Sequence, residues 1–174
     1  MDLFYVSEDA GIREFVPRMP PSPDSKVDFP VVWAVDGEHL RNYLLPRDCP
    51  RVTFYATEKS LAEDVRYLMG PGASRAVVAI ESAWLERVRA AQLYLYRMPD
   101  EGFELWDAGA GYWVSRKAVK GLEAVKVTDC LGAIAERGVE LRVVKTLWPL
   151  RDAVVGSTLG FSCIRMRNAR PREG

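Results

Sequence analysis

Few side chains in this sequence are suited to chemistry, and none falls in a common catalytic spacing. The one histidine, His39, follows Asp36 by three residues and stands beside Glu38 and Arg41; an imidazole next to carboxylates is a natural proton carrier. The segment Pro46-Arg47-Asp48-Cys49-Pro50-Arg51 brackets two charges and a thiol between prolines. A loop stiffened in this way can hold Arg47 ready for an anion. Arg47 and Arg51 would favour a thiolate at Cys49 if they lay close to it, but the base such a nucleophile needs could only be His39. Gly109-Ala110-Gly111 lacks the lysine and the length of a phosphate loop, and neither a nucleophile elbow nor a dinucleotide fingerprint is present. Cys49, Cys130 and Cys163 are scattered, so neither a disulfide framework nor a structural metal site is expected. Leu93 and Leu95 alternate with Tyr94 and Tyr96, giving a strand with a tyrosine face on which nicotinamide or adenine would stack.

The elements that would position these groups are short. Leu3–Val6 reads as a first strand, and Val31–Val35, an unbroken apolar run, as a buried one. Between them the prolines of residues 17–30 exclude helix and central strand, which predicts an extended loop. Asp36 is placed to cap a helix carrying Leu40, Tyr43 and Leu44, ended by Pro46. Strands follow at 51–56, 76–80, 92–98, 103–106, 112–115, 125–127 and 139–144. Between them, helices are predicted through Leu61, Val65 and Leu68 (capped by Thr57 or Ser60), after Ser82, after Asp129, and over Leu147–Leu159. Strands and long helices do not alternate regularly. The pattern therefore favours an α+β fold, a mixed or antiparallel sheet with several short helices, over a doubly wound parallel sheet.

A chain of 174 residues fits a single domain, 1–174. Its apolar runs are far too short to span a membrane, and its first residues do not form a secretory signal, so the reading places it in the cytoplasm. Net charge is zero but unevenly spread: residues 1–64 hold 12 acidic and 7 basic groups, residues 139–174 hold 3 and 7. Two readings follow. Either the oppositely charged ends are matched within the fold, or Arg165, Arg167, Arg170 and Arg172 serve an RNA or protein partner as a non-enzymatic interaction module. Residues 169–174 are expected to fray.

Several stretches resemble a protein family, found in bacteria, without an established activity. They are Leu3-Phe4-Tyr5-Val6-Ser7-Glu8, Ile12, Phe15, Pro17-Arg18, Val32-Trp33-Ala34-Val35-Asp36, Pro46-Arg47-Asp48-Cys49-Pro50-Arg51-Val52-Thr53, Leu147-Trp148-Pro149-Leu150-Arg151-Asp152 and Ile164-Arg165-Met166-Arg167-Asn168-Ala169. More distantly, the first strand, the Ile12/Phe15/Pro17 segment and the second strand with its helix are similar to the ADP-ribosyltransferase-like superfamily. That likeness implies a split sheet and a cleft for a nucleotide-like ligand, with NAD as cofactor. It implies Tyr5 and Ser7 from the first strand, Trp33 and Tyr43 from the second strand and its helix, and Arg47, as ligand-binding residues. Tyr5 stands where the superfamily carries histidine. The late strand 112–115 has no glutamate in register, Glu104 and Glu123 lying near it in sequence. The likeness therefore implies a catalytically degenerate member.

Overall fold

The structure, a computed structural model, describes residues 1–20, 26–72 and 75–172. Among the described residues, ten strands form two sheets, joined by a few short helices, an α+β architecture. The chain divides into two compact units, Met1–Leu40 with Gln92–Val127, and Arg41–Ala91 with Thr128–Gly174.

The first unit is an antiparallel six-stranded sheet. Its strands are β1 (Leu3–Ser7), β2 (Val32–Asp36), β5 (Leu93–Met98), β6 (Glu104–Asp107), β7 (Tyr112–Ser115) and β8 (Glu123–Val127), in the order β6-β7-β2-β1-β5-β8. One face carries a core of Leu3, Val32, Ala34, Tyr96 and Met98, covered by Phe15, Phe103 and Val119. The other bears a smaller cluster of Val27, Val31 and Val114, with Phe29 and Trp33 against it. Residues 15–18 are tied across the sheet: Phe15 pairs with Val119, and Arg18 with Val31. Part of the proline-rich loop, residues 21–25, lies outside the described residues.

The second unit is a four-stranded mixed sheet of β3 (Arg51–Tyr55), β4 (Ala76–Glu81), β9 (Val139–Val144) and β10 (Gly160–Ile164), in the order β10-β3-β4-β9 with β4 and β9 parallel. β4 is buried along its whole length, as a continuous apolar run flanked by strands on both sides demands. Helices α1 (Ala62–Asp64), α2 (Leu85–Ala90), α3 (Cys130–Ala135) and α4 (Trp148–Val155) complete it. Val52, Phe54, Val77, Ala79, Leu68, Leu147 and Val154 form its core.

Several expectations change. The helix expected after Asp36 is a single 3-10 turn, His39–Asn42. The helix through Leu68 starts as one α turn and continues as a π turn, Val65–Met69. Neither Thr57 nor Ser60 caps it: the residue that precedes its first turn is Leu61, whose N donates to Thr158 Oγ1 at 2.8 Å. The segment from Phe161, for which no strand is expected, lies in an edge strand, Gly160–Ile164, paired with β3. The fraying expected from Ala169 does not affect 169–172. Arg170 N donates to Glu81, Arg170 O accepts from Trp148 Nε1 at 2.6 Å, and Arg172 pairs with Asp152. Among the described residues, no helix is long and apolar enough to cross a membrane.

Candidate functional site

In β1 the alternation Leu3-Phe4-Tyr5-Val6-Ser7 sends Tyr5 and Ser7 to the same face. The antiparallel register sets Tyr5 opposite Tyr96 and Ser7 opposite Tyr94 on β5. Directly opposed side chains on one face stand about 5 Å apart, so three phenols and a hydroxyl form one cluster in the middle of the first unit. The Tyr96 hydroxyl is structural: it donates to Asp9 O at 2.7 Å and accepts from Ile12 N at 3.2 Å, fastening the segment that leaves β1. Phe15 from that segment lies with its ring 4.7 Å from Tyr5 and 5.2 Å from Tyr96. Tyr5, Ser7 and Tyr94 remain half-buried, and Ser7 Oγ accepts from Asp9 N at 3.0 Å.

Trp33 does not join them. Phe4 pairs with Val35, so Val35 and Trp33 share the face of Phe4, opposite Tyr5 and Ser7. There Trp33 packs edge-on to Tyr112, centroids 5.3 Å apart. The single cleft expected from Tyr5, Ser7 and Trp33 is thus divided by the sheet itself, because neighbouring side chains of a strand point to opposite sides. Glu104 lies opposite Val114, which lies opposite Trp33, and Glu123 lies opposite Arg97, which lies opposite Phe4. Both glutamates therefore share Trp33's side of the sheet.

Tyr43 and Arg47 belong to the second unit. Here the organising group is Arg51, buried at 2% exposure. It donates from Nε to Asn42 O at 2.9 Å and from Nη1 to Cys49 O at 2.8 Å and Pro46 O at 3.3 Å. The stiff loop is folded around a guanidinium that also lies over the Tyr43 ring. Arg47 is exposed, and its carbonyl accepts from Arg165 Nε at 3.3 Å. Cys49 is sealed inside: burial, outweighing the nearby Arg51, pushes its thiol up to about 12. A nucleophilic role for Cys49 is incompatible with that environment.

His39 is held from two sides. Its Nδ1 lies 2.9 Å from Asp36 Oδ1, which also accepts from the His39 backbone N–H at 2.8 Å. Asp36 N donates to Gly111 O, and Gly111, at φ +66°, packs so closely that any Cβ there would collide with the imidazole. The glycine of this loop serves close approach rather than phosphate binding.

Of the basic C-terminal groups, Arg165 lies 3.8 Å from Asp48 Oδ1, and Arg172 pairs with Asp152 at 2.8 Å while stacking over Trp148. Among the described residues no group of three or more His, Cys, Asp or Glu is arranged to hold a metal ion. Sequence reasoning identified the Tyr94/Tyr96 face but had no means of pairing it with Tyr5 and Ser7. That pairing depends on the β1–β5 register, which no local pattern encodes.

A model of a family of unknown function, DUF6886, matches residues 4–169, and the chain belongs to that family. Neither a curated protein nor a solved structure matches.

Proposed function

We propose that this member of the family binds a nucleotide-like ligand of the NAD or ADP-ribose class at the Tyr5/Ser7/Tyr94 cluster, and that it does so without transferring ADP-ribose. The observation that carries the reading is the cross-strand pairing of Tyr5 and Ser7 with Tyr96 and Tyr94. Half-buried phenol rings offer a planar ligand a stacking surface. The hydroxyls of Ser7 and Tyr94 suit ribose and phosphate oxygens. The likeness to the ADP-ribosyltransferase-like superfamily assigns ligand contacts to the first two strands, and here those strands are hydrogen-bonded neighbours inside the sheet. The absence of transfer is supported by Tyr5 in the place of a histidine, and by Glu104 and Glu123 sharing the other side of the sheet.

Calorimetric titration with NAD and ADP-ribose tests the binding half. Saturable binding is expected for the native chain, about tenfold weaker for Tyr94→Ala and weakened for Ser7→Ala. Binding unchanged in both variants would sink the site. Incubation with NAD labelled in its ADP-ribose half tests the other half: neither nicotinamide release nor transfer of label to an acceptor is expected, and label transfer abolished by Glu104→Gln or Glu123→Gln would establish a transferase. The alternative, an RNA or protein partner at Arg165–Arg172, has less support, since Arg165 and Arg172 already contact groups of their own unit.

A further inference from the structure

The loop joining β7 to β8 was not singled out by any motif, yet its chemistry is distinctive. Between Asp107 and Glu123 the chain carries no carboxylate side chain, while Arg116, Lys117 and Lys120 place three cations within five residues. All three are exposed, and none forms an ion pair with a described residue. A cation run is usually a solvated face, but this loop is rigidly mounted. Ser115 Oγ accepts from Lys117 N at 3.3 Å and donates to Lys117 O at 3.2 Å. Val119, buried, exchanges two backbone hydrogen bonds with Phe15 at 2.8 and 2.9 Å. Leu122 N donates to Arg97 O at 2.8 Å. Three anchors leave the cations on a fixed turn instead of a mobile one.

Planar groups flank Arg116. The Arg116 guanidinium lies over the Phe29 ring, 3.7 Å from its centroid. Trp106 meets the same ring edge-on at 5.7 Å and is 38% exposed. Cations beside aromatic faces are the two parts by which single-stranded nucleic acid is held without sequence readout: the cations meet phosphates and the rings accept bases. An acidic peptide would use the cations but would have no need of the exposed indole.

We infer that the Arg116–Lys120 loop, with Phe29 and Trp106, is a binding surface for single-stranded nucleic acid. It uses none of the residues of the Tyr5/Ser7/Tyr94 cluster, so it stands or falls separately from the ligand proposed there. Three phosphate contacts set the strength of its salt dependence: log K should fall with log salt at a slope of about −2.

The test is fluorescence anisotropy of the full chain with a labelled twelve-nucleotide oligouridylate, from low to moderate potassium chloride. Binding with that slope is expected. Lys117→Glu with Lys120→Glu should remove it while circular dichroism stays native, without touching the Arg116–Phe29 stack. Trp106→Ala should weaken it about fivefold or more with the slope unchanged. No binding at low salt overturns the inference. So does binding that dextran sulfate matches and that Trp106→Ala leaves intact, since that would mark a general polyanion surface. Binding insensitive to the double charge reversal would place the contact elsewhere and overturn it equally.

Discussion

Thr53 stands within β3 with no exposed surface, and its Oγ1 meets no hydrogen-bond partner among the described residues. An orphaned buried hydroxyl costs about 1 kcal/mol or more relative to an apolar group of the same shape. Thr53→Val should therefore raise the unfolding free energy by about 1 kcal/mol, read as a higher urea midpoint at unchanged slope; a lowered midpoint would mean that the hydroxyl is satisfied. Cys49 makes the opposite kind of prediction. With its thiol held up at about 12 by burial, it should resist alkylation at about pH 8 until the chain unfolds. Rapid labelling of Cys49 in the folded protein would contradict the sealed loop. At this scale the sequence was a partial guide. Asp36 was readable as a cap because its partner amide lies three residues on. Arg51 lies near Cys49 as the spacing suggests and favours its thiolate, but burial of the thiol, which no local pattern shows, outweighs that charge.

Among elements, α4 and the C-terminal segment depend on one carboxylate. Glu81, at the end of β4 and 1% exposed, accepts from Leu147 N at 3.1 Å and from Arg170 N at 3.0 Å. Removing it strands two amides, one at the start of α4 and one in the C-terminal segment. Glu81→Ala should cost about 3 kcal/mol in urea unfolding, and Arg170–Arg172 should become accessible to protease. A loss below about 1 kcal/mol would show that water replaces the carboxylate without penalty. Strands such as Ala76–Glu81 and Leu93–Met98 were legible because their apolar runs or alternations are local. β10 was not, because Phe161-Ser162-Cys163-Ile164 is short and half-exposed and is made a strand only by its register with β3. The start of α1 is illegible for a similar reason: the oxygen that receives the amide of Leu61, just ahead of its first turn, is Thr158 Oγ1, from beyond α4.

For the whole molecule, surface carboxylates accept hydrogen bonds that favour their charged form in the folded chain. The Thr158 hydroxyl and backbone amide hold Asp64 below the usual carboxylate range, and Arg151 with Arg172 does so for Asp152. A group whose folded pKa is depressed adds stability above its unfolded value and loses it as pH falls through the folded one. Stability should therefore decline below about pH 4, and Asp64→Asn should flatten that decline; a variant with an unchanged acid limb would assign the loss to other groups. The fold class was legible from strand lengths and the lack of regular alternation. The candidate site was legible only as separate residues, since the two sides of a sheet are decided by register and Trp33 falls on the side opposite Tyr5 and Ser7.

The most direct test of ligand binding at the tyrosine cluster is thermal unfolding of the full chain titrated with NAD and with ADP-ribose. A ligand at about a hundred times its Kd adds roughly 2.7 kcal/mol, several degrees in a chain of this size. A saturable rise in Tm, diminished in Tyr94→Ala, is the predicted result. An unmoved Tm with both compounds at millimolar concentration would contradict it.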